Sequence, residues 1–150
     1  MRIAVATDHA GFPIKKAVME AIRACGHEVI DLGGHSLVRS DFPDFAEKAG
    51  RAIIAGEADR AVVICGSGIG VCIAANKMKG IYAGLCHDTY SAHQAVEHND
   101  INVLCLGGQI IGSQLTKEIV THFLNATLMN EPRYQARINK LKAIEQEFFK

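Results

Sequence analysis

No charge of one sign is in excess in this chain: sixteen lysines and arginines balance sixteen aspartates and glutamates over 150 residues. No basic stripe interleaved with aromatics is present either, so the electrostatic footprint of a nucleic-acid binder is missing. A small neutral or anionic molecule is the partner to expect. Long apolar runs are also absent, none approaching the ~20 residues needed to span a bilayer, which argues against a membrane partner. The N-terminus moves straight into a strand pattern without the layout of a secretory leader, and a cytoplasmic protein is expected. Internal repeats, low-complexity segments and linkers are lacking, so residues 1–150 are read as a single domain with a core of ordinary size.

Cysteine pairs are missing too. Cys25, Cys65, Cys72, Cys86 and Cys105 form an odd set without a Cys-x-x-Cys motif, which argues against a disulfide framework or a zinc cluster. The seven histidines are scattered, and no His or Cys spacing matches a familiar metal site, so no metal is expected. Neither Gly-x-Gly-x-x-Gly after the first strand pattern nor Gly-x-x-x-x-Gly-Lys-Ser/Thr occurs. That weakens one reading of the chain, a non-catalytic module that uses its glycines only to cradle a nucleotide or phosphate.

What the chain does have is alternation. Apolar runs rich in β-formers recur at 2–7, 28–32, 60–65, 81–86 and 103–106, each followed by a segment of helical period. Helices are predicted on a stripe from Ile14 to Cys25 stopped by Gly26, then over 43–55, 71–78, 89–97, 114–126 and 133–149. In the first, Ile14, Ala17, Val18, Ala21, Ile22 and Cys25 share a face, and Lys15, Lys16, Glu20 and Arg23 point away. Strands alternating with helices predict a three-layer α/β/α Rossmann-like fold with a five-stranded parallel sheet and an extra C-terminal helix. That last helix carries Tyr134, Ile138, Leu141, Ile144 and Phe148 on one stripe, which is expected to bury against a second copy of the chain. The irregular stretch 33–42, with His35, Arg39 and Asp41, is expected to loop over the sheet edge.

Open parallel sheets hold ligands beyond the carboxyl ends of their strands, and three polar clusters follow strand patterns here. Asp8-His9 ends the first, Cys65-Gly66-Ser67-Gly68-Ile69-Gly70 ends the third, and His98-Asn99-Asp100 closes the helix after the fourth; all three are expected at that edge. Glycines let backbone N–H groups approach a ligand closely, and the positive end of the following helix suits an anion and a sulfur acting as base or nucleophile. Asp8, His9 and Cys65 meet in one crevice if the sheet switches direction between its first and third strands. Each group also has a plainer role open to it. Cys65 fits a buried strand end, Asp8 a helix cap, and His98 the closing turn of a helix. Arg133 and Arg137 fit a solvated face, although their spacing of four also aligns two guanidinium groups on one phosphate.

Taken together, these segments resemble the ribose-5-phosphate isomerase type B family, which shares its fold with the galactose-6-phosphate isomerase subunits. The resemblance runs in order through Asp8-His9-Ala10-Gly11, Asp41-Phe42-Pro43, Cys65 to Gly70, Ala74-Ala75-Asn76-Lys77, Tyr90-Ser91-Ala92, His98-Asn99-Asp100, Asn102-Val103-Leu104 and Arg133 with Arg137. It implies interconversion of ribose 5-phosphate and ribulose 5-phosphate through a cis-enediolate, without metal or organic cofactor. By that resemblance Cys65 is the base that moves a proton between C1 and C2, with Ser67 and Asp8 beside it, and His98 assists opening of the sugar ring. Asp8, His9, Gly66, Ser67, Gly68, Ile69, Gly70 and Asn99 bind the substrate. Arg133 and Arg137 clamp its phosphate from the partner subunit of a homodimer, and further pairing into tetramers stays open.

The chemistry agrees, since aldose-ketose exchange needs a base at the carbon, a proton carrier near the oxygens and fixed donors for the developing charge. Gln109 stands where the family commonly has arginine, Phe42 where it often has tyrosine, and Ser67 where it often has threonine. An isomerase of six-carbon phosphosugars, allose 6-phosphate or galactose 6-phosphate, is the closer alternative, because only pocket length separates the two.

Overall fold

The computed structural model describes residues 1–150 and contains one five-stranded, wholly parallel sheet. Its strands are β1 (Arg2–Thr7), β2 (Glu28–Asp31), β3 (Arg60–Cys65), β4 (Ala83–Leu85) and β5 (Val103–Gly107). The helices are α1 (Phe12–Ala24), α2 (Phe42–Ile54), α3 (Ile69–Ala75), α4 (Thr89–Asn99), α5 (Ser113–Asn125) and α6 (Pro132–Phe148). Spatially the strands run β2-β1-β3-β5-β4. The sheet therefore switches direction between β1 and β3, as the crevice reading requires. It also folds back once more, setting β5 between β3 and β4, which strand-helix alternation does not reveal.

Alternation along each strand builds the two faces. Ile3, Val5, Val62, Ile64, Leu104 and Leu106 point to the side covered by α1, α4 and α5, where Ile22, Ile119 and Phe123 complete a core of large side chains. Ala4, Ala61, Val63, Val103 and Cys105 point to the opposite side, under α2 and α3. Alanines line that second side from the helix as well, at Ala46, Ala49, Ala52 and Ala75, so the helices sit close to the sheet. Both sheet faces are dry, which is why every central strand reads as a continuous apolar run.

Two expectations about side-chain direction change. Lys15 does not face away from the stripe of α1; it is 3% exposed. Its ammonium, extended past the apolar stem, meets the Asp31 carboxylate at 2.7 Å and the Gly34 carbonyl at 2.8 Å. The stripe of α6 is also split. Tyr134 and Ile138 are buried against their own chain, whereas Leu141, Ile144 and Phe148 remain 43%, 56% and 72% exposed. Farther along α6, Glu145 accepts hydrogen bonds from the Gly80 amide and the Tyr82 hydroxyl, both at 2.6 Å. No helix is long and apolar enough to cross a membrane.

Candidate active site

Cys65 closes β3 and is 4% exposed. Its Sγ accepts a hydrogen bond of 3.1 Å from the Gly68 amide, because Gly68 turns the chain back in the left-handed region, at φ +79°, before α3 begins. An L side chain at Gly68 would carry the cost of that conformation and would also run 2.8 Å from the Leu106 carbonyl carbon. Ser67 Oγ accepts from the Ile69 amide at 3.2 Å, which leaves its own hydroxyl proton free to donate. The amides of Gly68 and Ile69 are thus engaged by side chains of the same turn. Those of Gly66, Ser67 and Gly70 find no acceptor within the chain, which leaves three donors available on the turn that Cys65 heads.

The turn after β1 is the second component. Asp8, 5% exposed, accepts hydrogen bonds on one carboxylate oxygen from the amides of Ala10 at 2.9 Å and Gly11 at 3.0 Å. The plainer role foreseen for Asp8 is therefore partly realised, since it holds the turn that leads into α1. His9 faces the long loop: its Nδ1 accepts from the Ser40 amide at 3.1 Å, and its own amide donates to Ser40 Oγ at 3.2 Å. That loop lies over the sheet edge as expected, tied also by the Thr7 amide to the Gly33 carbonyl at 3.2 Å. Phe42, at its end, packs its ring against Gly70, where a Cβ would come within 2.8 Å of ring carbons.

The third component follows β5. Because β5 lies beside β3, Gly107 is the register partner of Cys65. The Gly108 amide donates to the Cys65 carbonyl at 2.8 Å, and the Gln109 amide to the Gly66 carbonyl at 3.0 Å. The Gln109 carboxamide oxygen lies 3.0 Å from where a Gly66 Cβ would be. Asp8, His9, Cys65, Ser67 and Gln109 therefore stand on three turns that interlock at one edge. The sequence marks Gln109 only as a departure from the family's arginine; that its turn packs on the Cys65 turn follows from the position of β5 beside β3.

His98 and Asn99 are placed differently from the expectation. They end α4, which runs antiparallel to the strands, so they lie toward the amino ends of β3 and β5, not at the carboxyl edge. The neighbouring Asp100 acts electrostatically on Arg60, the first residue of β3. Arg60 and Cys65 are separated by the length of that strand, about 16 Å at the usual rise. His98 instead joins α6. Its ring stacks on Tyr134, and the guanidinium carbons of Arg133 and Arg137 lie 4.8 Å and 5.9 Å from the Tyr134 ring centre. The candidate residues thus fall into two clusters, Cys65 with Ser67, Asp8 and His9 at one end of the sheet, and His98 with Asn99, Arg133 and Arg137 at the other.

Comparison with known proteins identifies the family to which a chain with this fold and these clusters belongs. The family model described as Ribose/Galactose Isomerase matches residues 3–141. The chain belongs to this family. Ribose-5-phosphate isomerase B of Escherichia coli (strain K12) is 41% identical over 145 residues, covering 97% of each chain. D-erythrulose-4-phosphate isomerase 2 of Mycolicibacterium smegmatis is 36% identical over 149 residues, again covering 97% of each. Among solved structures, type B ribose 5-phosphate isomerase of Trypanosoma brucei superposes with a TM-score of 0.92 at 43% identity, over 95% of this chain and 97% of that one. Relatives of the chain thus include proteins named for four-carbon and for five-carbon phosphosugars.

Proposed function

We propose that the chain is an aldose-ketose isomerase that interconverts D-ribose 5-phosphate and D-ribulose 5-phosphate through a cis-enediolate, working as a cytoplasmic homodimer of single-domain subunits. The observation that carries the reading is the buried Cys65 sulfur at the head of a turn whose Gly66, Ser67 and Gly70 amides are unengaged. A proton leaves one carbon and returns to its neighbour, and between the two steps negative charge sits on the enediolate oxygens. Cys65 Sγ takes and returns that proton. The amides supply fixed donors for the charge, and the Ser67 hydroxyl exchanges protons with the oxygens. Asp8 and His9, held by their own turn and by Ser40, line the sugar on the other side.

The separation of the two clusters supports the dimer. One chain cannot bring His98 to the sugar that Cys65 holds, so His98 and Asn99, with the phosphate clamp of Arg133 and Arg137, serve the site of the neighbouring subunit. Exposed apolar side chains supply a surface for that association: Ile69 and Ile73 on α3, Leu85 on the edge strand β4, and Leu141, Ile144 and Phe148 on α6. His98 then hands a proton to the ring oxygen as the bond from that oxygen to the anomeric carbon breaks and the anomeric hydroxyl gives its proton to solvent, and Cys65 acts on the open-chain aldehyde.

Formation of ketose from ribose 5-phosphate, measured with and without EDTA, tests the activity. The ratio of kcat/KM over four-, five- and six-carbon phosphosugars tests the substrate. Higher kcat/KM on allose 6-phosphate or galactose 6-phosphate would move the assignment to the six-carbon branch. Phosphosugar binding without turnover would return the chain to a non-catalytic module.

A further inference from the structure

The Gly107–Gln109 turn backs the Cys65 turn through backbone contacts, and one side chain reaches in to hold it. His87 follows β4 at the carboxyl edge, and its Nε2 lies 2.9 Å from the Gly107 amide, which donates to it. Accepting that bond requires the neutral ring with its proton on Nδ1. Burial lowers the pKa of His87 and keeps it neutral, opposed by the charge of the adjacent Asp88. Gly107 is itself buried and has no slack. A Cβ there would lie 2.7 Å from the backbone carbon and oxygen of Ser67, and a Cβ on Gly68 would lie 3.1 Å from the Gly107 nitrogen.

We propose that His87 is a positioning residue for the isomerisation, fixing the Gly107 amide and through it the placement of Cys65, Ser67 and the free amides around the reacting carbons. The inference rests on Cys65 being the base. Its physical content is that the Gly107 N–H, once without an acceptor, draws the turn toward another partner. The Gly108-to-Cys65 and Gln109-to-Gly66 bonds then carry the shift directly into the reacting group. His87 touches neither the sugar nor the reacting atoms in this role.

The experiment compares His87→Ala with His87→Gln, whose side-chain oxygen reaches the place of Nε2 and can accept the same bond. With ribose 5-phosphate as substrate, His87→Ala is expected to lower kcat by roughly ten- to a hundredfold, the scale of an ångström-sized misplacement, with little change in KM. His87→Gln is expected to recover most of the loss. Hydrogen exchange of the Gly107 amide, read on the same proteins, should quicken in the alanine variant and stay slow in the glutamine variant. Should the alanine variant fail to fold, the glutamine variant alone decides, since normal turnover with a slow Gly107 amide supports the role. A glutamine variant with a slow Gly107 amide and low turnover would overturn it, as would wild-type turnover in the alanine variant. Cys65→Ser serves as the control: if it stays active, the assignment of the base falls and this role with it, whereas an inactive Cys65→Ser beside a fully active His87→Ala removes His87 alone.

Discussion

The His98 ring lies flat on the ring of Tyr134, with centroids 4.2 Å apart and planes 13° from parallel. This stack joins the end of α4 to the first turn of α6. It also organises the arginines, because Arg133 Nη2 donates to the Tyr134 hydroxyl at 3.0 Å while both guanidinium groups lie beside the Tyr134 ring. Glu131 holds Arg133 from the other side, with Nε at 2.9 Å. Tyr134, which sequence reading treated only as part of an apolar stripe, is thus the common neighbour of the proposed ring-opening group and the proposed phosphate clamp.

Replacing Tyr134 with leucine should therefore damage binding more than chemistry. The stack contributes about 0.5–1.5 kcal/mol beyond burial, and each arginine-ring contact about 0.5–1 kcal/mol. With that support gone, KM for ribose 5-phosphate is expected to rise several-fold while kcat falls less. Tyr134→Phe keeps the stack and loses only the hydroxyl contact, so it should lie close to wild type. A leucine variant with unchanged KM would show that the arginines are held without the ring.

The separation of the two proposed half-sites makes a stronger test possible. In a mixed dimer of a Cys65→Ser chain and a His98→Asn chain, one site receives both defects and the other receives neither. Each parent homodimer should be nearly inactive on the cyclic sugar, and mixed dimers should recover up to about one intact site per dimer. Arg137→Ala in place of His98→Asn should show the same recovery at low ribose 5-phosphate, where loss of the phosphate clamp is felt through a raised KM. Mixed dimers shown to have formed, yet without recovered turnover, would mean that thiol and imidazole serve the same chain's site.

How much of this was legible beforehand differs by residue. The strand-helix order was plain because both faces of the sheet are covered, which makes runs such as Ala61 to Ile64 wholly apolar, and Gly26 marks the end of α1 with its φ of +82°. The Cys65 turn was legible because a thiol and glycines at a strand end have few other uses together. The place of His98 was not, since sequence adjacency to a strand does not say which end of the sheet is meant; the antiparallel course of α4 decides it. Lys15 was misjudged because its stem sits in the apolar stripe and only its ammonium needs polar partners. His87 was passed over because its partner is a backbone amide brought near by the inserted β5.

The cysteines should separate by reactivity and by consequence. Cys72 is half-buried, and a hydrogen bond from Cys105 lowers its pKa to about 7, against the effect of burial. Cys86 and Cys105 are buried with raised pKa values, Cys86 to about 11 chiefly through burial and Cys105 through its bond to Cys72 followed by burial. Brief treatment with iodoacetamide at neutral pH should therefore label Cys72 and leave Cys86 and Cys105 untouched. Loss of activity, however, should follow modification of Cys65. Cys72→Ser is expected to keep its activity, and Cys65→Ser to fold and still bind phosphosugar with almost no isomerisation. Peptide mapping that ties inactivation to Cys72 in both wild type and Cys65→Ser backgrounds would displace Cys65 from the mechanism.

The anchor of the loop over the site gives a pH dependence of definite sign. Lys15 Nζ holds Asp31 and the Gly34 carbonyl, with His35 Nδ1 at 3.5 Å, and so fixes the segment that carries Ser40 to His9. Burial alone would raise the pKa of Asp31. The Lys15 hydrogen bond, the Gly33 amide and the charges of Lys15 and His35 together outweigh it, leaving the carboxyl below its ordinary value. A carboxyl with a folded-state pKa below the unfolded one stabilises the fold above the ordinary carboxylate range, and that stability fades as pH falls through the folded value. Lys15→Met should cost about 1–2 kcal/mol near neutral pH, toward the low end because the Asp31 side chain is 35% exposed. In urea titrations at a series of pH values, the gap in stability between wild type and Lys15→Met should be constant near neutrality and narrow below about pH 4, where the unfolded carboxylate begins to protonate. A gap that stays constant down to about pH 2, below the ordinary carboxylate range, would mean that Asp31 is not the partner through which Lys15 stabilises the loop.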